Sequence, residues 1–351
     1  MKRPSSSDQL RFLTGLQRIL EEGSFVATYK FALLMALADF AIQAGQDEVD
    51  PEELDVFHLS ENFISYYWRQ ALPYVTSREN DRKYLKMATG SQPVIFNQIV
   101  QLHALYHGSL PALRKNANDW HEIKALVADT IAKMPLWKLQ VVGPDLVCVL
   151  YKQSRVGYQG RVLEFVPGAL FNLRQHYDLV RGLVQGAWLR HVRRLNAASL
   201  GEIDLDEFLF GSERSTWPGL RQILRDVQGG SCLYCGRGVG DAGDIDHFIP
   251  WSRYPQDLGH NFVLAHATCN RSKSDLLASP AHLANWHKRN MVHGEHLSQR
   301  FSEKGILHDY LKTRHITNWA YAQAESVGAQ LWYAKNDLRP IDPSWRGGWN
   351  G

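Results

Sequence analysis

Cysteine is scarce in this 351-residue chain: there are four, and three of them lie between positions 232 and 269. A disulfide-stapled secreted scaffold is excluded, and clustered thiols in a chain otherwise poor in them point to a reducing compartment and a metal site. Charge of one sign is also lacking. With 39 Lys and Arg against 36 Asp and Glu, the formal net charge is +3, so bulk charge does not announce a nucleic-acid binder. Internal repeats and low-complexity tracts are missing, and 44% hydrophobic with 21% charged residues is the composition of a folded chain. Long apolar runs are missing too. The basic start Met1-Lys2-Arg3 is not followed by the apolar core of a signal peptide. The most apolar stretch, residues 25–42, contains Tyr29, Lys30 and Asp39, which a membrane span seldom carries. It reads as a buried helix, and a cytoplasmic protein with no membrane partner is expected.

What is present divides the chain. Its length allows two or three domains. Residues 7–138 read as helices. Phe12, Leu13, Leu16, Ile19 and Leu20 form a helical stripe closed by Gly23, and Ser24 stands where the cap of the next helix belongs. The acidic link 47–53 reads as a loop, and Phe63, Ile64, Tyr67, Trp68 and Leu72 as a core stripe on a third helix. Residues 146–151 and 161–165 read as two short strands with Gly157 and Gly160 in the turn, and Cys148 as a buried apolar thiol. A long helix is expected over 168–195. Eight basic and two acidic residues fall between 152 and 194. Arg190, Arg193 and Arg194 there make either a solvated helix face or a surface that follows a phosphate backbone. The acidic stretch 202–213 reads as a boundary.

The informative stretch is 217–280. Cys232 and Cys235 form C-x-x-C, and His266 and Cys269 form H-x-x-C. Two such pairs about 30 residues apart fit a tetrahedral zinc knuckle, because each short turn places two ligands on one ion. Four protein ligands leave no open position, so this zinc would be structural. Between the pairs stand Asp244-Ile245-Asp246-His247-Phe248-Ile249-Pro250 and then Asn261-Phe262-Val263-Leu264, with Cys269-Asn270-Arg271-Ser272-Lys273 closing the stretch.

This order of pieces resembles the HNH endonuclease family, in an H-N-N variant with Asn270 in the third position. The stretch 244–275 is similar to the HNH domain of RNA-guided CRISPR effectors, which lacks the zinc-ligand pairs. The resemblance implies a ββα-metal finger that hydrolyses DNA phosphodiesters to a 5′-phosphate and a 3′-hydroxyl. His247 is then the general base, because imidazole titrates near neutrality. Asp246 and Asn270 supply hard oxygens suited to Mg²⁺ or Mn²⁺. The resemblance gives Asn261 the task of holding the loop that carries His247, and Arg271 and Lys273 read as phosphate contacts. One difficulty is geometric: neighbours on a regular strand point to opposite faces, so Asp246 and His247 share a phosphate only if the strand bends or ends there.

Beyond 280, the six histidines from His282 to His315 read as polar surface near DNA, and His287, Lys288 and Arg289 as either a backbone contact or a solvated face. Ile316, Trp319, Ala320, Ala324 and Val327 suggest one more helix, and the tail with Trp345 and Trp349 is expected to dock on its own domain. The fold expected is α+β: a mainly helical N-terminal domain with a small β-hairpin over 1–215, the nuclease module over 216–280 and a short helical extension over 281–351. The expected function is metal-dependent DNA cleavage as a monomer or homodimer, with structural Zn²⁺ and catalytic Mg²⁺ or Mn²⁺. By fold-level analogy its setting is restriction or antiphage defence, for example with the other subunits of a Zorya-type system. The competing readings are a zinc-knuckle DNA-binding module without activity and a sensor or partner-binding subunit.

Overall fold

A computed structural model describes residues 3–45, 50–75, 82–153, 160–198, 200, 204–211, 219–240 and 243–349. The chain divides into two compact units, Met1–Glu213 and Arg214–Gly351. Short antiparallel pairings among many helices make the fold α+β.

In the first unit, helix α1 (Ser6–Glu22) opens with a capping box in which Ser5 and Asp8 satisfy each other's backbone N–H groups at 3.2 Å. Helix α2 (Tyr29–Gln43) is buried nearly all round, which is why its sequence shows no polar face. It starts later than the sequence suggests. Thr28, not Ser24, precedes it, and the Ser24 carbonyl instead accepts the Lys30 ammonium at 2.8 Å. Burial brings that ammonium down to about 8. Asp39 accepts Asn62 Nδ2 at 3.1 Å, Tyr66 OH at 2.5 Å and Tyr177 OH at 2.6 Å, while burial pushes its carboxyl up. The two charges that break the apolar run are thus satisfied groups of an interior. Among the described residues no helix is long and apolar enough to cross a membrane.

On α2 pack α3 (Ser60–Gln70), α7 (Pro135–Lys138), α8 (Ala169–Gln175) and α9 (Tyr177–Asn196); α4 (Val94–Leu105) and α6 (Ala117–Lys133) pack on α3, α5 (Leu110–Lys115) on α6, and α10 (Leu205–Phe210) on α3 and α9. The helix expected over 168–195 is therefore two helices, broken at His176, whose φ of −110° and ψ of 25° leave the helical well. The strands are β1 (Glu53–Asp55), β2 (Tyr74–Val75), β3 (Arg82–Lys83), β4 (Val141–Val142), β5 (Asp145–Leu146) and β6 (Val162–Glu164).

The pairing expected between 146–151 and 161–165 is not what forms. β5 pairs with β4 in a small hairpin, β6 pairs with β1, which occupies part of the expected acidic loop, and only an isolated Tyr151–Phe165 bridge joins the two segments. The reason is Gln140, fully buried, whose Oε1 accepts the N–H groups of Val149 at 3.1 Å and Leu150 at 2.9 Å in place of a ladder. Cys148 is exposed, contrary to its reading as a buried thiol. Gly157 lies outside the described residues, as do 47–49 of the acidic link.

In the second unit, α11 (Leu220–Val227) leads into the Cys232–Cys235 turn. An antiparallel hairpin follows, β7 (Asp244–His247) with β8 (Phe262–Ala265), then α12 (Ala267–Lys273). Helix α13 (Pro280–Lys304) has Ser279 at its cap, Pro280 at its first position and Gly305 at φ 67° behind it. The position expected to divide module from extension is thus the start of a helix inside this unit. Helix α14 (Tyr310–Ser326), a second hairpin of β9 (Gln330–Ala334) and β10 (Asp337–Pro340), and a closing 3₁₀ segment Pro343–Trp349 complete it. The tail packs back on the unit: Trp345 is buried and its indole donates to Glu325 at 3.0 Å.

Helix α13 carries the back of the first hairpin. Arg289, buried, donates to the carbonyls of Phe262 at 2.7 Å and His260 at 2.8 Å, and Trp286 stacks on Phe248 at 5.1 Å. His282, His287 and Arg289 are interior groups, so they do not belong to the polar surface expected of them. Edge exposure of β8 is met by a side chain: the Gln228 amide bonds both the N–H and the carbonyl of Leu264 at 2.9 Å.

Candidate active site

Three groups of side chains are built on this hairpin and helix. The first is the thiol cluster. Ligand atoms of Cys232, Cys235, His266 and Cys269 all lie within 4.8 Å of one another. A tetrahedral zinc with bonds of about 2.0–2.3 Å separates its ligands by roughly 3.5–4 Å, so the four fit one ion. His266 turns Nδ1 toward Cys235 Sγ at 3.3 Å, and its Nε2–H donates to the Gly238 carbonyl at 3.0 Å. A carbonyl on the far nitrogen is the partner that fixes the tautomer of a ligating histidine. Burial pushes the Cys269 thiol up, and the neighbouring Cys232 and Cys235 push it further. Burial also raises Cys235, but hydrogen bonds from Arg237, Cys232 and His266 outweigh it and the net shift is downward. Three sulfurs this close cannot all ionise alone. A divalent cation on the four atoms would resolve the conflict.

The second group faces α12. Asp244 and Asp246 share one face of β7, while Asn270 and Lys273, three apart on α12, share the face opposite them. The pairs formed are Asn270 Nδ2 to Asp244 Oδ2 at 3.2 Å and Lys273 Nζ to Asp246 Oδ2 at 3.2 Å. Tyr234 adds its hydroxyl to Asp246 at 2.5 Å, and Lys273 also donates to the His247 carbonyl at 3.0 Å. Lys273 is 0% exposed. Burial lowers its pKa while Asp246 opposes the shift. Breaking such a buried pair from one side costs about 3–5 kcal/mol. Lys273 is therefore a strut of the fold, and its reading as a phosphate contact is corrected; Arg271, one residue round the helix from Asn270, is exposed.

The third group is on the other face. β7 keeps a regular register through His247, paired with Phe262, so the bend that would bring Asp246 and His247 together is not there. The His247 ring lies against Phe262 at 4.8 Å and Trp251 at 5.6 Å. Its Nε2 meets Asp257 Oδ1 at 2.8 Å. A carboxylate only accepts, so Nε2 carries a proton, and in the neutral ring Nδ1 is the acceptor. Asn261, 5% exposed, clamps the loop behind the ring: its Oδ1 accepts Ile249 N–H at 2.8 Å and its Nδ2 donates to the Ile249 carbonyl at 3.0 Å.

The structure thus brings Asn270 to Asp244, not to Asp246, and gives His247 a partner that sequence reading missed. Asp244 was legible: period two puts it on the face of Asp246. Asp257 was not, since it stands in the irregular loop between β7 and β8. In the first unit, Arg190, Arg193 and Arg194 are exposed on α9 at helical spacing, with Arg194 Nη2 3.1 Å from His191 Nδ1.

A sulfur-and-imidazole cluster thus stands beside an antiparallel hairpin and a helix, with the Asp257-bonded imidazole of His247 at the end of β7. Residues 232–279 match a family model described as HNH endonuclease. No curated protein and no solved structure matches the chain. The matched segment contains the four cluster ligands, both aspartates of β7, His247, Asp257, Asn261 and Asn270.

If Asp257 orients the base and stabilises the imidazolium it becomes, Asp257→Asn should lower kcat for plasmid nicking by on the order of 10–10²-fold, a part of the 10²–10⁴ that a positioned base supplies. KM should stay within about twofold. Initial rates over a range of plasmid concentrations decide it: a raised KM at unchanged kcat removes Asp257 from this role.

Proposed function

We propose that the second unit is a metal-dependent HNH nuclease acting on DNA, with His247 as general base. The single observation that carries this reading is the Nε2–H to Asp257 bond, which leaves Nδ1 as the acceptor of a ring 26% exposed inside the segment matched to HNH endonucleases. Nδ1 takes a proton from water as the nucleophile forms, and the Asp257 carboxylate holds the ring's orientation. Asp244 and Asn270, adjacent and only half buried, offer the hard oxygens that Mg²⁺ or Mn²⁺ prefers. Asp246 offers a further carboxylate, on which a metal ion competes with the Lys273 ammonium. The ion, when bound, supplies charge relief to the phosphate and the departing 3′ oxygen. Zinc on the four-residue cluster pins the turn and β8 to α12 and takes no part in bond breaking.

One such site cuts one strand, so nicking is the elementary event and a double-strand cut takes two of them. We assign the exposed arginines of α9 to contact with the DNA backbone and the first unit to recognition, partner binding or restraint of the nuclease. Restriction or antiphage defence is the proposed setting, and it rests on the family resemblance alone. The closed Asp246–Lys273 pair favours a second reading, a DNA-binding knuckle without catalysis. Supercoiled plasmid incubated with Mg²⁺, Mn²⁺, Ca²⁺ or no added metal separates the two. Nicked circles with Mg²⁺ or Mn²⁺ only are expected; DNA that is bound and left intact under every metal would establish the second reading.

A further inference from the structure

Beside α12, on a face neighbouring that of Asn270, the β9–β10 hairpin walls off a cleft of about 520 Å³. The hairpin is held there by its backbone and by one side chain. Trp332 N–H donates to the Leu277 carbonyl at 2.8 Å, and its indole donates to Ser272 Oγ at 3.0 Å. Asn336, at φ 64° in the two-residue turn, takes the left-handed conformation that lets the hairpin reverse and point Lys335 outward. Arg271 from the helix and Lys335 from the turn both line the cleft, both are exposed, and no carboxylate lines it. Among the described residues neither cation forms an ion pair; Asp337, the nearest acid along the hairpin, is paired with Arg339 at 2.8 Å. Leu276 and Leu338 give the cleft an apolar floor, and Leu338 is 46% exposed.

We propose that this cleft holds the DNA backbone flanking the scissile phosphate, with Arg271 and Lys335 on phosphate oxygens and the leucines under the sugar edges. The assignment rests on the nuclease reading above, since it is Asn270 that puts a reacting phosphate at this helix. Successive residues of a helix are turned by about 100°, so a strand held at Asn270 passes Arg271 next and the hairpin beyond it. Unpaired cations over an apolar floor, without a carboxylate, match a sugar-phosphate chain. The hairpin follows the segment matched to the family, so this half of the cleft belongs to this chain's own design.

Each phosphate contact releases about 0.9 of a counterion, which at roughly 0.1 M salt is worth about eightfold in affinity. Full-length protein is titrated into a fluorescein-labelled DNA duplex without added Mg²⁺, over a series of salt concentrations, with anisotropy as the readout. Lys335→Ala is expected to raise Kd about eightfold and lower the log–log salt slope by about 0.9. Lys335→Arg should restore both, and Lys304→Ala, an exposed cation of α13 outside the cleft, should change neither. Lys335 stands on an exposed turn, so folding is preserved in every variant. A Kd and slope equal to wild type in Lys335→Ala, or an equal loss in Lys304→Ala, overturns the cleft while plasmid nicking by the wild type leaves the nuclease standing. Binding that shows the Lys335 effect without nicking under any metal overturns the nuclease and keeps the cleft. A wild type that does not bind DNA overturns both, and displacement of the duplex by a polyglutamate peptide more readily than by unlabelled DNA gives the cleft to a protein partner.

Discussion

His247→Ala should lower the first-order rate of plasmid nicking by about 10²–10⁴-fold, with zinc content, thermal unfolding and DNA affinity close to those of the wild type. The separation follows from where the residue stands. Its imidazole is at the open end of β7, 26% exposed, and it touches the fold through Phe262, Trp251 and Asp257. Its backbone carbonyl, which the Lys273 ammonium uses, remains in the alanine variant. Truncation therefore removes a proton acceptor and some ring packing, while the buried Asp246–Lys273–Tyr234 contacts persist. The measurement is the conversion of supercoiled to nicked plasmid at saturating protein and fixed Mg²⁺ or Mn²⁺. A variant that keeps more than about a tenth of the wild-type rate would take His247 out of the chemistry.

Cys232→Ser is the second large effect. Cys232 is 1% exposed, and its sulfur accepts the His266 N–H at 3.4 Å, so it joins the turn to the residue that opens α12. Structural zinc contributes on the order of 10–16 kcal/mol to small metal-folded units, more than the total stability of most domains. Losing a buried ligand should cost most of the bound zinc, expose the second unit to protease and abolish nicking together. Metal analysis and limited proteolysis of the full chain test this. A variant that retains one zinc per chain, resists protease and still nicks would falsify the cluster's structural role. Lowering the pH should release the ion from the wild type as well, because the ligating thiolates and imidazole must be deprotonated to bind.

Both predictions use residues that were visible before any coordinates. The two ligand pairs, the D-x-D-H run, Asn261 and Asn270 stand at spacings that carry their own geometry: a two-residue gap closes a turn on an ion, a period of two sorts a strand's side chains, and a gap of three aligns them on a helix. That same period already warned that Asp246 and His247 diverge, and the regular register of β7 bears the warning out. Helices α1, α3 and α14 were legible in part from apolar spacing and, for α1, its closing glycine. The pairings of β4, β5 and β6 were not, because Gln140 takes the backbone donors that a ladder would have used. A single buried amide bonded to the backbone of residues 149–151 leaves no periodic trace.

The reach of the sequence ended where partners are distant in the chain. Residue type and spacing by themselves determined the sulfur cluster, the face shared by Asp244 and Asp246, the face shared by Asn270 and Lys273, and the imidazole of His247 on the opposite side of the strand. Only the tertiary structure decided that Asn270 meets Asp244, that Lys273 is buried against Asp246 and so lost to DNA, that Asp257 sets the tautomer of His247, and that a hairpin from 330–340 stands beside α12. Local periodicity fixes the direction of a side chain relative to its own backbone. Burial and pairing depend on what an irregular loop and a remote segment bring to meet it.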